Sequence, residues 1–313
     1  MKALIIGAAG FVGKHLIAHL KSLEWEVSAT KLPKEEIKEN VTCHDLDILD
    51  RASIHSLLEQ IQPDCLFHLA AQSSVALSWK NPALTVDINI KGAVNLLETI
   101  RGMKTPPRVL LVGSGEEYGY VLPEELPIRE DTLPRPGNIY ACTKAAQNLF
   151  GGIYARAYKL DIIMVRAFNH TGPGQLDTFA VSHFCKQIAE AEARLQPPVI
   201  KVGNLSAMRD FTDVRDIVRA YSLLVQKGRA GEMYNVGSGK ALTMREVLDI
   251  ALSLAKIKIT VEQDSNLMRV SDTPVIQADI SRLTHETGWK PAIPLRDTIA
   301  DMLEDWRQKL AYC

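Results

Sequence analysis

The chain opens with a short apolar run, KALIIG (2–7), that ends in three glycines spaced three apart, Gly7, Gly10 and Gly13. A run of that length reads as a buried strand, and Phe11 to Leu23 carries apolar residues at helical spacing. Glycines between them permit a tight strand-to-helix turn. A chain that starts this way is committed to an α/β unit, and the following residues keep the alternation. EVSAT (26–30), VTCH (41–44), DCLFHLA (64–70), RVLLVGS (108–114) and DIIMVRAF (161–168) read as strands. Helical patterns at Ala52–Ile61, about Pro82 to Arg101 and about Asn138 to Tyr158 separate the later ones. Near-continuous apolar strands between helices predict a parallel sheet covered on both faces, and right-handed crossovers make it doubly wound.

The second half is less regular. A GPGQ turn (172–175) precedes a helix from about Phe179 to Arg194, and VIKVG (199–203) reads as a short strand. Thr212 or Asp213 caps a helix that stops at Gly228, followed by a strand, EMYNVG (232–237), and a helix from Thr243 to Ala255. No repeat, low-complexity tract or composition break marks a linker. The expected fold is therefore α/β, a doubly wound parallel Rossmann sheet with a smaller, interleaved α+β substrate-binding domain. Residues 1–166, 211–237 and about 272–288 are assigned to the dinucleotide-binding domain. Residues 167–210, 238–271 and 289–313 are assigned to the substrate domain.

Composition removes several function classes. Of 313 residues, 36 are Lys or Arg and 37 are Asp or Glu, so no basic excess points to nucleic acid. Any attraction for an anion must be local. No apolar run nears the roughly 18 residues that cross a bilayer. The five cysteines are scattered without a C-x-x-C, and the histidines form no H-E-x-x-H. Free thiols in a reducing, cytoplasmic compartment and no metal site are the expectation.

The glycine turn has a chemical reading. At a strand end and helix start, glycines let the backbone approach a pyrophosphate, and the helix N-terminus offers N–H donors with a partial positive charge. Gly7, Gly10, Phe11, Val12 and Gly13 are the residues expected to hold a dinucleotide there. An acidic residue at the end of the second strand would bond the ribose of NAD. This chain has Thr30 and Lys31, with Lys34 nearby, so NADP is favoured over NAD unless Lys31 is a solvated loop residue. Asp47 and Ile48 could hold the adenine, or Asp47 could be a turn residue ahead of the helix at 52.

Tyr140 and Lys144 form the only Y-x-x-x-K in the chain and share a helical face. Reducing a carbonyl requires a proton for the oxygen as hydride reaches the carbon. A free tyrosine near pKa 10 is a sluggish relay, and a neighbouring ammonium is expected to lower it. A serine hydroxyl can orient the carbonyl, and Ser114 ends the preceding strand.

Together the glycine turn, HLAA (68–71), Ser114 and Tyr140-x-x-x-Lys144 resemble the extended short-chain dehydrogenase/reductase family. RAFNHTGPGQ (166–175), MRDFTDVRDIV (208–218), YNVGSG (234–239) and TGWKP (287–291) look like its nucleotide-sugar branch. The resemblance implies Ser114, Tyr140 and Lys144 as catalytic residues. Leu69, Ala70, Ala71, Tyr140 and Lys144 would also meet the cofactor. Ser73, Glu116, Asn169, Arg209, Arg269 and Asp272 would bind substrate, the two arginines gripping a diphosphate. His170 is expected to be a packed histidine rather than a catalyst.

The activity so implied is NAD(P)H-dependent reduction of the 4-keto group of a nucleotide-linked 6-deoxyhexose, with GDP-4-keto-6-deoxy-D-mannose the first candidate. Glu116 keeps a 4,6-dehydratase or 4-epimerase open, since a glutamate at that place works on the sugar in the dehydratases. Here Ser-Gly-Glu stands where those enzymes resemble Thr-Ser-Glu. A non-catalytic NADP-binding sensor is the reading from another class. The helices at about 82–101 and 138–158 would form a homodimer interface.

Overall fold

The computed structural model describes residues 1–267 and 273–311. β1 (Lys2–Ile6) passes through the glycine turn into α1 (Phe11–Ser22), followed by β2 (Glu26–Lys31), β3 (Thr42–Asp45), α2 (Arg51–Ile61) and β4 (Cys65–His68). A short α3 (Val75–Lys80) leads to α4 (Pro82–Val86) and α5 (Gly92–Arg101), joined by a π-turn over Asp87–Lys91. β5 (Arg108–Ser114), α6 (Ile139–Tyr158) and β6 (Ile162–Ala167) complete the first half. The helix expected over 82–101 thus contains a wide turn that periodicity does not announce.

The second half adds β7 (Asn169–Thr171), α7 (Ala180–Glu192), β8 (Val199–Val202), β9 (Met208–Asp213) and α8 (Val214–Lys227). Then come β10 (Met233–Val236), β11 (Ala241–Thr243), α9 (Met244–Ser253), β12 (Thr260–Gln263), β13 (Val275–Ile276), α10 (Ser281–Thr287) and α11 (Leu295–Ala311). The short strands β7, β9, β11, β12 and β13 carry no clean alternation and are not evident in the sequence.

The main sheet is seven-stranded and parallel, in the order β10-β6-β5-β4-β1-β2-β3. Its strands are apolar on both faces because both are covered. Ala3, Ile5, Phe67 and Val165 pack towards α1 and α8, while Leu4, Ile6, Leu66 and Met164 pack towards α2, α5 and α6. The direction reverses between β1 and β4, so β1, β4 and β5 end beside one another at the carboxyl edge, where ligands bind in open α/β sheets.

A second sheet runs β11-β9-β13, with β7 also pairing with β9. α7, α9 and α11 share a separate core beside it, built on Phe184, Ile188, Leu248 and Leu303. Three buried aspartates spaced three apart in MRDFTDVRD tie the parts together. Asp210 accepts from the backbone N–H groups of Ser238, Gly239 and Ala278. Asp213 caps α8 and accepts from Thr298 of α11. Asp216 accepts from the N–H groups of Ala292 and Ile293. Each carboxylate satisfies backbone or side-chain donors that would otherwise be buried unpaired.

Candidate active site

The glycine turn shows two different uses of glycine. Gly7 has φ +82°, and a Cβ there would lie 2.5 Å from the backbone of Ala70. A Cβ on Gly13 would lie 2.1 Å from the Ala8 carbonyl. These two are glycines because the protein's own backbone crosses there. Gly10 is exposed, and its nearest neighbour to an added Cβ is the Gly7 carbonyl at 3.7 Å. Among the described residues, nothing fills that space. α1 begins there with no side-chain cap and no acidic residue in its first turn, although acidic residues are favoured at that end. An open cradle at an uncapped helix N-terminus fits a pyrophosphate.

Beside the cradle, Thr30 is buried and its hydroxyl accepts from the Gly7 N–H at 3.1 Å while its carbonyl accepts from Ala8. Its side chain therefore shapes the turn rather than facing outward. Lys31 does face outward, with Nζ 2.6 Å from Asp45 of β3, the residue directly opposite it in the sheet. Asp47 accepts from the Leu49 N–H as a turn residue, and Ile48 packs against Gly92. At the end of β4, Leu69 and Ala70 donate to the Ile6 carbonyl, which lays this segment across the glycine turn. Ala71 is half-buried and Ser73 is exposed.

Ser114, Tyr140 and Lys144 meet at the rim between β5 and α6. Asn138 caps α6 through the Ala141 N–H, so Tyr140 falls in the first turn and Lys144 one turn later. Ser114 lies beside Tyr140, near enough that its side chain bears on the phenol's proton affinity. Burial pushes the Tyr140 hydroxyl up to about 12, partly opposed by the Ser114 side chain and reinforced by Glu116 and Glu117. This departs from the expectation of a phenol lowered by lysine. Lys144 is buried, donates to Gln147 Oε1 at 2.9 Å, and burial brings it down to about 8, against the pull of Glu117. On the phenol desolvation outweighs the Ser114 side chain, and on the ammonium it outweighs the attraction of Glu117. Beneath them His68 is wholly buried, and burial plus the Lys144 charge hold it near 3, a neutral ring.

Three contributors to this cluster are not apparent from spacing. The π-turn presents buried Asn89, which accepts from the Gln72 N–H and donates to the Gln72 carbonyl and to Thr143 of α6. It joins the segment after β4 to the residue before Lys144. Gln147 holds the lysine. Glu117 is buried behind Ser114, and burial raises its carboxyl while Arg166 opposes the rise. Only the wide turn could have been sought in sequence, and its composition has no signature.

Among the residues expected to bind substrate, Glu116 accepts from Asn138 at 3.3 Å, which keeps its carboxylate by the cap of α6. Asn169 opens β7, partly buried. His170 donates from Nδ1 to the Phe168 carbonyl and stacks on Phe11 with ring centroids 6.3 Å apart. Arg209 lies on β9 between Leu242 and Ile276, and donates to the carbonyls of Met208 and Thr273. It is buried, while Arg269 and Asp272 lie outside the described residues.

Comparison with known proteins shows the family of the chain. A family model described as GDP-mannose 4,6 dehydratase matches residues 4–302. The chain is 33% identical over 309 residues to the GDP-6-deoxy-D-mannose reductase of Pseudomonas aeruginosa, covering 99% of this chain and 98% of that one. It is 26% identical to the GDP-mannose 4,6-dehydratase of Yersinia enterocolitica, over 96% of this chain and 92% of that one. The structure of RMD from Pseudomonas aeruginosa complexed with NADPH superposes with a TM-score of 0.89 at 33% identity, covering 99% and 100% of the two chains. The chain belongs to the GDP-mannose 4,6-dehydratase family, in the nucleotide-sugar branch of the extended short-chain dehydrogenases/reductases.

Proposed function

We propose that the protein reduces the 4-keto group of a nucleotide-linked 6-deoxyhexose, GDP-4-keto-6-deoxy-D-mannose to GDP-D-rhamnose, with NADPH preferred and NADH accepted. The observation that carries this reading is the convergence of Ser114, at the end of β5, with Tyr140 and Lys144 on α6, at the carboxyl edge that the glycine turn shares. Reduction needs a protonated acid at the start of turnover. The reductase and the NADPH-bound structure among the relatives support it.

Gly7, Gly10, Gly13 and the first turn of α1 would hold the cofactor pyrophosphate, with Phe11, Val12 and the 69–71 segment alongside. A reduced nicotinamide supplies the hydride when bound. The Ser114 hydroxyl donates to the keto oxygen and orients it. Tyr140 gives that oxygen its proton, so the C4 carbonyl becomes an alcohol and the phenol becomes phenolate. Lys144, still largely an ammonium below pH 8, stabilises the phenolate until a proton returns from water. Arg209, with Arg269, would neutralise the substrate diphosphate, and Asn169, Ser73, Glu116 and Asp272 would bind the sugar and its phosphate.

The alternative is a 4,6-dehydratase or 4-epimerase cycle, favoured by the Glu116 carboxylate beside the α6 cap. The two differ in stoichiometry. Supplying GDP-4-keto-6-deoxymannose with NADPH should consume one reduced cofactor per sugar, followed by its absorbance. Conversion of GDP-mannose alone without net cofactor use would overturn the reductase reading. A sensor would bind NADPH and turn over neither.

Three coarser features complete the proposal. Leu149 and Ile153, one turn apart on α6, and Val86 at the end of α4 are exposed apolar residues suited to a homodimer interface. No helix among the described residues is long and apolar enough to cross a membrane, and a cytoplasmic location is proposed from the unpaired cysteines. The cofactor domain is proposed to comprise 1–166, 211–237 and about 272–288, and the remainder the substrate domain.

A further inference from the structure

We infer that Glu117 is a positioning residue for the Ser114–Tyr140–Lys144 site, clamping the end of β5 to α6 and β6. The inference rests on the reductive reading of that site and extends it to a residue that does not touch substrate.

The Ser114 hydroxyl can serve a carbonyl only if the last residue of β5 is held still, and Ser114 is already past the buried part of its strand. Its backbone N–H donates to Glu117 Oε1 at 2.8 Å. The same oxygen accepts from Asn148 Nδ2 at 2.7 Å, and Asn148 lies one turn beyond Lys144 on α6. The other oxygen accepts from Arg166 Nε of β6 at 2.9 Å. One carboxylate with no exposed surface thus fixes the serine against the helix that carries the tyrosine and lysine.

Gly113 gives an independent sign that the clamp is built into the fold. A Cβ there would lie 2.1 Å from both Asn148 Nδ2 and Glu117 Oε1. Glycine inside a strand weakens it and marks a close approach. Here the approaching groups are the two halves of the clamp. A buried ion pair is also a poor source of stability, since well-packed apolar residues usually hold as well or better. Arg166 in turn lies over the Tyr118 ring, whose hydroxyl donates to Asn235 of β10. The arrangement is explained by the precision it gives Ser114, where displacement of about 1 Å can cost about a hundredfold in rate.

Two double variants separate positioning from packing. Glu117→Met with Arg166→Met removes the clamp without leaving a buried charge. Glu117→Gln with Arg166→Met keeps an oxygen for Ser114 and Asn148. Each is measured for thermal midpoint, NADPH affinity by fluorescence, KM for the keto sugar and kcat. The first should melt cooperatively, bind NADPH and sugar within about threefold of the unaltered protein, and lose about 30- to 100-fold in kcat. The second should recover at least about tenfold of that loss. Equal kcat in the two variants, or an unaltered kcat in the first, overturns the inference.

Should either variant fail to fold, hydrogen exchange of the Ser114 amide in the unaltered holoenzyme decides. Protection matching that of Val112 supports the clamp, and exchange at the rate of an exposed loop amide overturns it. Absence of NADPH oxidation in the unaltered protein would fall on the proposed reaction instead, and the exchange measurement would still judge the clamp.

Discussion

Lys144 should make the protein less stable than it could be, and replacing it with methionine tests this. Bringing a lysine from 10.5 to about 8 by burial corresponds to about 3 kcal/mol set against the folded ammonium. Below pH 8 both folded and unfolded chains hold the proton, and the whole penalty is present. Between pH 8 and 10.5 the folded lysine is neutral while the unfolded one is still protonated, so unfolding takes up a proton and rising pH opposes it. Above 10.5 the penalty is gone. The unfolding free energy of the unaltered protein, minus that of Lys144→Met, should therefore climb by about 3 kcal/mol from pH about 7.5 to about 10.5. Losing the bond to Gln147 adds an offset that does not depend on pH, so the slope isolates the ammonium. Urea unfolding of both proteins at several pH values supplies the curve. A difference flat to within about 0.5 kcal/mol across that window would refute the argument that Lys144 is held as a desolvated cation. The same group should impose an alkaline limb on kcat/KM, which reports the free enzyme, with activity falling above pH about 8.

Other residues give sharper local outcomes. Tyr140→Phe removes the proton donor and should lower turnover by about two to four orders of magnitude while NADPH binding, read by fluorescence, is retained. Gly10→Ala should melt like the unaltered protein yet bind NADPH at least about tenfold more weakly, because its methyl enters the space left for the pyrophosphate. Gly13→Ala should instead lower stability by about 2 kcal/mol or more in denaturant unfolding, since its methyl meets the Ala8 carbonyl. Asp45→Asn releases Lys31 from its ion pair and should tighten NADPH relative to NADH by about two- to fivefold in titration, as for loss of an exposed partner worth about 0.5–1 kcal/mol.

The parts of this protein legible in the chain alone are those governed by local pattern. Apolar runs alternating with helical periodicity identify β1, β4, β5 and β6 because each is buried on both faces. The turn at Gly7, Gly10 and Gly13 is legible because strand, glycine and helix are adjacent in sequence. Tyr140 and Lys144 share a face by spacing alone, and Ser114 stands out as the end of a strand that precedes them.

Tertiary structure decided everything that depends on what lies opposite. β7, β11 and β13 are three residues or fewer, too short for a period, and exist because β9 offers edges to pair with. Lys31 reads as a free cation until β3 brings Asp45 against it from fourteen residues away. A tyrosine beside a lysine suggests a lowered phenol, yet in the folded chain desolvation moves Tyr140 up and Lys144 down. Spacing specifies which side chains share a surface. The dielectric around them, and hence their charge, is set by residues that only the folded chain brings near.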